Sequence, residues 1–192
     1  IYMHNVLTLW YKFVIRSNTV GNSFLAVYAD DFIAGFQYKE DAERYYALLK
    51  ERLKKFNLEL EESKSRMIEF GKYAEINSKR KYGRKAETFN FLGFTLYCGK
   101  SRHSGEFCVK LKTNSKKFTQ KLKQTKEWLY QNNDLPVKDL ITRLNKKLVG
   151  HYRYYGVSHN INKLSAFLHY VQRYLFKVLN RRSHKKSYTW DG

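Results

Sequence analysis

Cysteine, proline and acidic side chains are all scarce in this chain. Two cysteines, Cys98 and Cys108, cannot build a disulfide scaffold and suit a reducing compartment, so a cytoplasmic protein is expected. With His103 between them they form a Cys-x4-His-x4-Cys pattern, but three soft ligands fall short of the four that a structural zinc site takes. Two free thiols on a hairpin are the expectation. No apolar run approaches the roughly 20 residues that a spanning helix needs, and no signal-peptide pattern is visible, so no membrane partner is expected.

Acidic residues number 17 against 37 Lys and Arg, a net charge of +20. An excess of that size points to a polyanionic partner, most often nucleic acid. It is unevenly spread: residues 1–112 carry +7 and residues 113–192 carry +13. Hydrophobic residues make up 43% of the chain, including 16 Tyr and 13 Phe, enough for a real core in one or two domains.

The stretch Phe24–Phe36 sets two acids, Asp30 and Asp31, between two short apolar runs rich in branched and aromatic residues. Such runs suit strands, and the acids suit a tight turn, which predicts a hairpin with the carboxylates at its tip. Adjacent carboxylates repel, and a hard cation relieves that repulsion. Mg²⁺ is held by one or two carboxylates plus substrate phosphates, and a pair of such ions can clamp an in-line phosphoryl transfer. An ordinary exposed turn is the competing reading, although an exposed turn seldom has such apolar support on both sides.

Elsewhere the pattern predicts a helix over Ile1 to Arg16, with Val6, Leu9, Trp10 and Phe13 on one face. A polar connector follows over 17–22. Lys39 to Phe56 reads as an amphipathic helix with Ala42, Tyr45, Tyr46, Leu49, Leu53 and Phe56 on its apolar face. Glu40, Asp41 and Glu43 in its first turn read as a solvated, dipole-favoured face. A short strand is expected near Met67 to Phe70, a mobile basic loop over Gly71 to Thr88, and a strand over Phe89 to Leu96 that returns over Glu106 to Lys112. From Thr113 the pattern is helical. Asn114 and Ser115 are candidate caps, and Phe118, Leu122, Thr125 and Leu129 form one stripe. Pro136 suits the first turn of a second helix that buries Val137, Leu140, Ile141, Leu144 and Leu148. A third helix over Asn162 to Asn180 buries Leu164, Phe167, Leu168, Val171, Leu175 and Val178. The aromatic-rich stretch between these last two helices, Gly150 to Gly156, can stack on bases or pack on helices.

Tyr28-Ala29-Asp30-Asp31 resembles the Tyr-Ala-Asp-Asp box of reverse transcriptases. Phe91-Leu92-Gly93-Phe94 resembles the box that follows the palm. Gly150-His151-Tyr152-Arg153-Tyr154-Tyr155-Gly156 resembles a signature of the maturase region of group II intron reverse transcriptases in particular, and Asn180-Arg181-Arg182-Ser183 and Trp190-Asp191-Gly192 resemble that family's segment just after the thumb. The resemblance runs over nearly the whole chain.

That resemblance implies an α+β fold. Residues 1–112 would be the rear of the palm, a partial palm of antiparallel β-hairpins packed with helices. Residues 113–192 would be an all-α three-helix thumb, or maturase domain, and the start of the following segment. It implies an RNA-directed DNA polymerase that joins deoxynucleotides to a DNA primer on an RNA template and assists intron splicing and mobility. Asp30 would be the stronger Mg²⁺ ligand of a two-metal site, incomplete in this chain and so of poor metal affinity, and Asp31 the supporting one. Lys64 would stand near the incoming nucleotide, and Tyr28, on the same face as Asp30, with Ala29 near the nucleotide or primer end. Phe91, Leu92, Gly93 and Phe94 would support the primer. Lys116, Lys117, Arg143, Lys147, Tyr152, Arg153, Arg173, Lys177, Arg181 and Arg182 would contact template, product or intron RNA. The first palm strand with its further Asp, the fingers and the Pro-Gln-Gly box have no counterpart here. The chain is therefore expected to be a piece of a longer enzyme and not to polymerise alone. The alternative is a non-enzymatic RNA-binding splicing cofactor whose palm is only a scaffold.

Overall fold

A computed structural model of the chain describes residues 2–182 and 189. It divides into two compact units between Ile68 and Glu69. The break expected at 112/113 falls inside the second unit. Ser183 and Trp190-Asp191-Gly192 lie outside the described residues.

The first unit opens with helical turns over 2–18. Two of them, His4–Leu9 and Tyr11–Ile15, are π-wound, and Arg16–Asn18 is a 3₁₀ turn. Wider i→i+5 winding turns the chain less per residue than an α-helix does. The buried stripe therefore moves from the predicted positions to Val6, Leu7, Tyr11 and Ile15, and Phe13 is left 67% exposed. The hairpin forms as expected, from β1 (Ser23–Tyr28) and β2 (Asp31–Phe36). Leu25, Val27, Phe32, Ala34 and Phe36 point one way and pack against Val6, Leu7, Tyr11, Ile15, Tyr45, Leu49 and Leu53.

Helix α1 (Lys39–Lys54) supplies the last three of those core residues. Its first turn is not uniformly solvated. Asp41 is only 4% exposed, and its Oδ2 accepts the backbone N–H groups of Val20 (3.0 Å) and Gly21 (3.2 Å). Its Oδ1 accepts from Arg44 Nη2 at 2.7 Å, and Arg44 also donates to the Asn18 carbonyl. The acid thus pins the connector that leads into β1. Residues 55–68 run on without a strand, and 67–70 are not one either.

In the second unit, 71–88 is not a loop throughout: Ala74–Tyr82 forms helix α2. Its basic residues 79–81 occupy the last turn, where the dipole favours them, and Gly83 at φ +64° closes it. Glu69 pairs with Lys81 at 3.6 Å and accepts from Asn77. Strands β3 (Phe89–Phe91), β4 (Phe94–Lys100) and β5 (Phe107–Thr113) make an antiparallel sheet in that order. Cys98 faces Val109 and Gly99 faces Cys108 in the register, so the two thiols project from opposite faces and stay free.

Helices α3 (Ser115–Gln131), α4 (Val137–Tyr155) and α5 (Ile161–Arg182) follow. Asn114 caps α3, accepting from the N–H groups of Lys116 and Lys117. The stripe Phe118, Leu122, Thr125 and Leu129 is buried, with Leu140, Leu144, Phe167, Val171 and Val178 against it. Ile141, expected inside, is 37% exposed, because α4 turns Leu140, Leu144 and His151 inward instead.

Replacing Asp41 with Ala leaves two backbone donors and a guanidinium without their buried acceptor. A loss of about 2–4 kcal/mol is expected, measured as a lower urea midpoint, with a smaller loss for Asp41→Asn.

Candidate active site and nucleic-acid interface

Two residues, Ala29 and Asp30, join β1 to β2, and Tyr28 pairs with Asp31 at the last rung. Asp30 is therefore a turn residue, whereas Asp31 opens a strand. Directly opposed residues share a face of the sheet, so Tyr28 shares its face with Asp31 rather than with Asp30. That face is opposite the one packed on the core. Tyr28 is 63% exposed, and both acids are exposed at the tip. Ala29 stands at φ +54°, as the first position of a primed hairpin turn requires. For a residue with a Cβ that conformation costs roughly 1–2 kcal/mol, held by the paired strands around it.

Lys64 lies within the field of this tip. Its pKa is raised, first by a 2.6 Å hydrogen bond to Glu61 Oε2 and by that carboxylate's charge, then by Asp31 and Asp30. The Lys64–Glu61 pair is exposed and of low energy, so Lys64 can exchange that partner for another anion at little cost. Sequence reading had placed Lys64 by resemblance alone. In the structure its direct partner is Glu61, and the charges of Asp31 and Asp30 add to the rise in its pKa.

In the second unit, Phe91 pairs with Phe94 across a two-residue turn, Leu92-Gly93, with φ +48° and +75°. As at Ala29, a residue with a Cβ takes the first left-handed position. The tip is seated on the end of α4. Tyr154 Oη donates to the Leu92 carbonyl at 2.9 Å, and the Tyr154 and Phe94 rings stack at 5.9 Å. Tyr155 meets Phe94 edge-on at 5.2 Å, and its hydroxyl lies 2.9 Å from where a Cβ on Gly93 would be. The aromatic residues of 150–156 thus pack on protein: two of them hold the hairpin, and His151 stacks on Phe167 at 3.9 Å.

Asn160 is the residue that sequence reading missed. It is fully buried. Its Oδ1 accepts from Thr113 N at 2.8 Å, and its Nδ2 donates to Thr113 Oγ1 (2.9 Å) and to the Tyr155 carbonyl (2.8 Å). It joins the end of β5, the end of α4 and the start of α5. An Asn just before an apolar helix signals a cap, but nothing local points to Thr113, 47 residues away.

The proposed nucleic-acid contacts fall into two groups. Lys116, Lys117, Arg143, Arg153, Arg173 and Lys177 are exposed on the three helices. Lys147 lies over the Trp128 ring and Arg181 over that of Tyr130. Arg182 is engaged within the fold, donating to the Leu135 carbonyl at 2.7 Å, and so ties α5 to the α3–α4 turn. Tyr152 has its hydroxyl buried without a hydrogen-bond partner among the described residues, and burial raises its pKa. Neither Arg182 nor Tyr152 offers its polar end to a ligand.

A reverse transcriptase (RNA-dependent DNA polymerase) family model matches residues 1–96, half of the chain. The chain belongs to the reverse transcriptase family. The maturase-specific domain of group II introns matches residues 115–192. No curated protein and no solved structure matches the chain. The two matches together assign it to the group II intron reverse transcriptase/maturases, enzymes of RNA-directed DNA synthesis that act in intron splicing and mobility. Polymerisation by this reverse transcriptase class depends on divalent metal, and its partners are nucleic acids, the intron RNA and the template.

His151 gives this reverse transcriptase a measurable pH response. It is 5% exposed, with no hydrogen-bond partner on either ring nitrogen among the described residues. Burial, and secondarily Lys121, push its pKa down from 6.5 to about 4. Between those values the unfolded chain binds the extra proton. The stability that neutral His151 contributes is complete above about pH 6.5 and is lost as pH falls towards 4, by up to about 3 kcal/mol. Urea unfolding across that range is expected to show a shallower slope in His151→Phe than in the wild type.

Proposed function

We propose that Asp30 and Asp31 carry the Mg²⁺ ions at which this family member joins deoxynucleotides to a DNA primer on an RNA template. The observation that carries this reading is the hairpin tip, where two exposed carboxylates on successive residues stand with a lysine in their field. The donors fit the ion. Mg²⁺ prefers hard oxygen ligands and needs only one or two carboxylates when waters and substrate phosphates complete its shell. No cluster of three or more His, Cys, Asp or Glu side chains forms among the described residues. When bound, the metal supplies Lewis-acid stabilisation of charge at the attacking and leaving oxygens.

The remaining work belongs to the chain's own groups. Asp30 and Asp31 hold negative charge at a fixed point. Tyr28, opposite Asp31, presents a broad exposed ring for the sugar or base of the nucleotide or primer end. Lys64 releases Glu61 and moves to the triphosphate, where it offsets the charge that grows as pyrophosphate leaves. Phe91 to Phe94, braced by Tyr154 and Tyr155, support the primer end. The exposed cations of α3, α4 and α5 hold the duplex and the intron RNA. Free thiols on opposite sheet faces suit a cytoplasmic setting.

Mn²⁺ as a probe for Mg²⁺ tests the site directly in the 192-residue chain. Paramagnetic broadening in NMR spectra is expected first at residues 28–31 and 64, and is lost in the Asp30→Ala/Asp31→Ala double variant. Broadening centred elsewhere rejects the metal assignment. In an enzyme that combines this segment with the rest of the polymerase, Asp30→Ala is expected to abolish primer extension and leave splicing assistance intact. Unchanged extension would favour the scaffold reading, a splicing cofactor without chemistry in its palm.

A further inference from the structure

Two glycines of the second unit have an internal reason to lack a side chain. A Cβ on Gly93 would press on the Tyr155 hydroxyl at 2.9 Å, and one on Gly156 would meet the Tyr152 carbonyl oxygen at 2.3 Å. Gly150 has no such reason. It lies within α4, five residues from its end, it is exposed, and a Cβ built on it meets nothing within 4 Å. Glycine in a helix interior weakens the helix relative to alanine. Among the described residues no close contact offsets that cost.

The surroundings of Gly150 are cationic. Residues three, four and seven positions apart are neighbours on a helix surface. Arg143, Lys146, Lys147 and Arg153 stand at those spacings from Gly150 and are exposed. Arg143, Lys146 and Arg153 form no ion pair with any described residue. Arg143 and Arg153, ten residues apart, span about 15 Å along the axis. A bare stretch of helix backbone is thus rimmed by positive side chains.

We propose that Gly150 is a close-approach point at which a polynucleotide backbone lies directly on α4, with its phosphates held by the flanking cations. Charge complementarity selects the occupant: unpaired Arg and Lys around a gap in side-chain cover suit a phosphodiester chain. A methyl group at this point holds the backbone off, and the flanking cations then fall short of the phosphates. This rests on the reading of the helical unit as a nucleic-acid grip and adds a residue that carries no charge.

The test sets stability against binding. Gly150→Ala, Arg153→Ala and, as a control, Asn145→Ala are made in the 192-residue chain. Two labelled probes are titrated at several salt concentrations, an RNA duplex and an RNA–DNA hybrid of the same sequence. Gly150→Ala is expected to raise Tm by about 2–4 °C and to weaken binding on the order of tenfold. Asn145→Ala is expected to leave binding unchanged, and Arg153→Ala to reduce the salt slope by about 1. Loss on one probe only identifies whether RNA or the hybrid occupies the face. A lower Tm for Gly150→Ala would reveal an internal packing role and overturn the inference. Unchanged affinity in Gly150→Ala, with weakened binding in Arg153→Ala, would overturn it and leave the grip standing. A wild-type chain that binds neither probe would remove the grip itself.

Discussion

The chain sets Asp30 and Asp31 side by side, and the pairing of β1 with β2 is what holds both at a hairpin tip. Six rungs join the strands, and the last, Tyr28 with Asp31, leaves only Ala29 and Asp30 for the turn. The left-handed conformation of Ala29 is the local cost of so short a connection. It is offset by the burial of Leu25, Val27, Phe32, Ala34 and Phe36 on the helical turns and α1 beneath. Weaken that packing and the turn relaxes, and the two acids lose their fixed place at the tip. The buried Asp41 clamp belongs to the same support, because it fixes the connector from which β1 starts.

The second unit solves a different problem, the joining of a small sheet to a helical bundle. A hydrophobic core alone is non-directional and does not set the angle of a hairpin on a helix. Here directional contacts do so: Tyr154 to the Leu92 carbonyl, Asn160 to Thr113 and to the Tyr155 carbonyl, and stacked rings at Phe94. Asn160 has both ends of its amide satisfied although fully buried, which makes the junction specific as well as stable. The Phe-Leu-Gly-Phe turn and the aromatic end of α4 are therefore one body, and whatever each holds is held in a fixed relation to the other.

Local pattern made much of this legible. The hairpin of 23–36, the helix after it, the cap at Asn114 and the stripe Phe118, Leu122, Thr125 and Leu129 all follow from periodicity and turn chemistry. The misses share a cause. Lys79, Arg80 and Lys81 read as a solvated loop because charge hides helix formation where no apolar stripe marks it. The π winding displaced the buried stripe of the first turns, since the expected spacing presumed 3.6 residues per turn. Asp41 read as solvated because its neighbours in sequence are. Its partners at 20 and 21 are supplied only when the connector folds over it.

The amino-acid sequence by itself determined which residues meet their near neighbours: the two acids at a turn, the apolar faces of the helices, the basic surface of the last three, and the reverse transcriptase kinship. Each of these depends on spacings of a few residues, where chain geometry leaves little freedom. Tertiary structure alone decided which polar groups were spent internally and which stayed available. Arg182 and Tyr152 are drawn into the fold, whereas Arg143, Arg153 and the bare backbone at Gly150 face outward. That division turns on partners distant in sequence, and the cost of burying an unpaired polar group settles it only once the helices have packed.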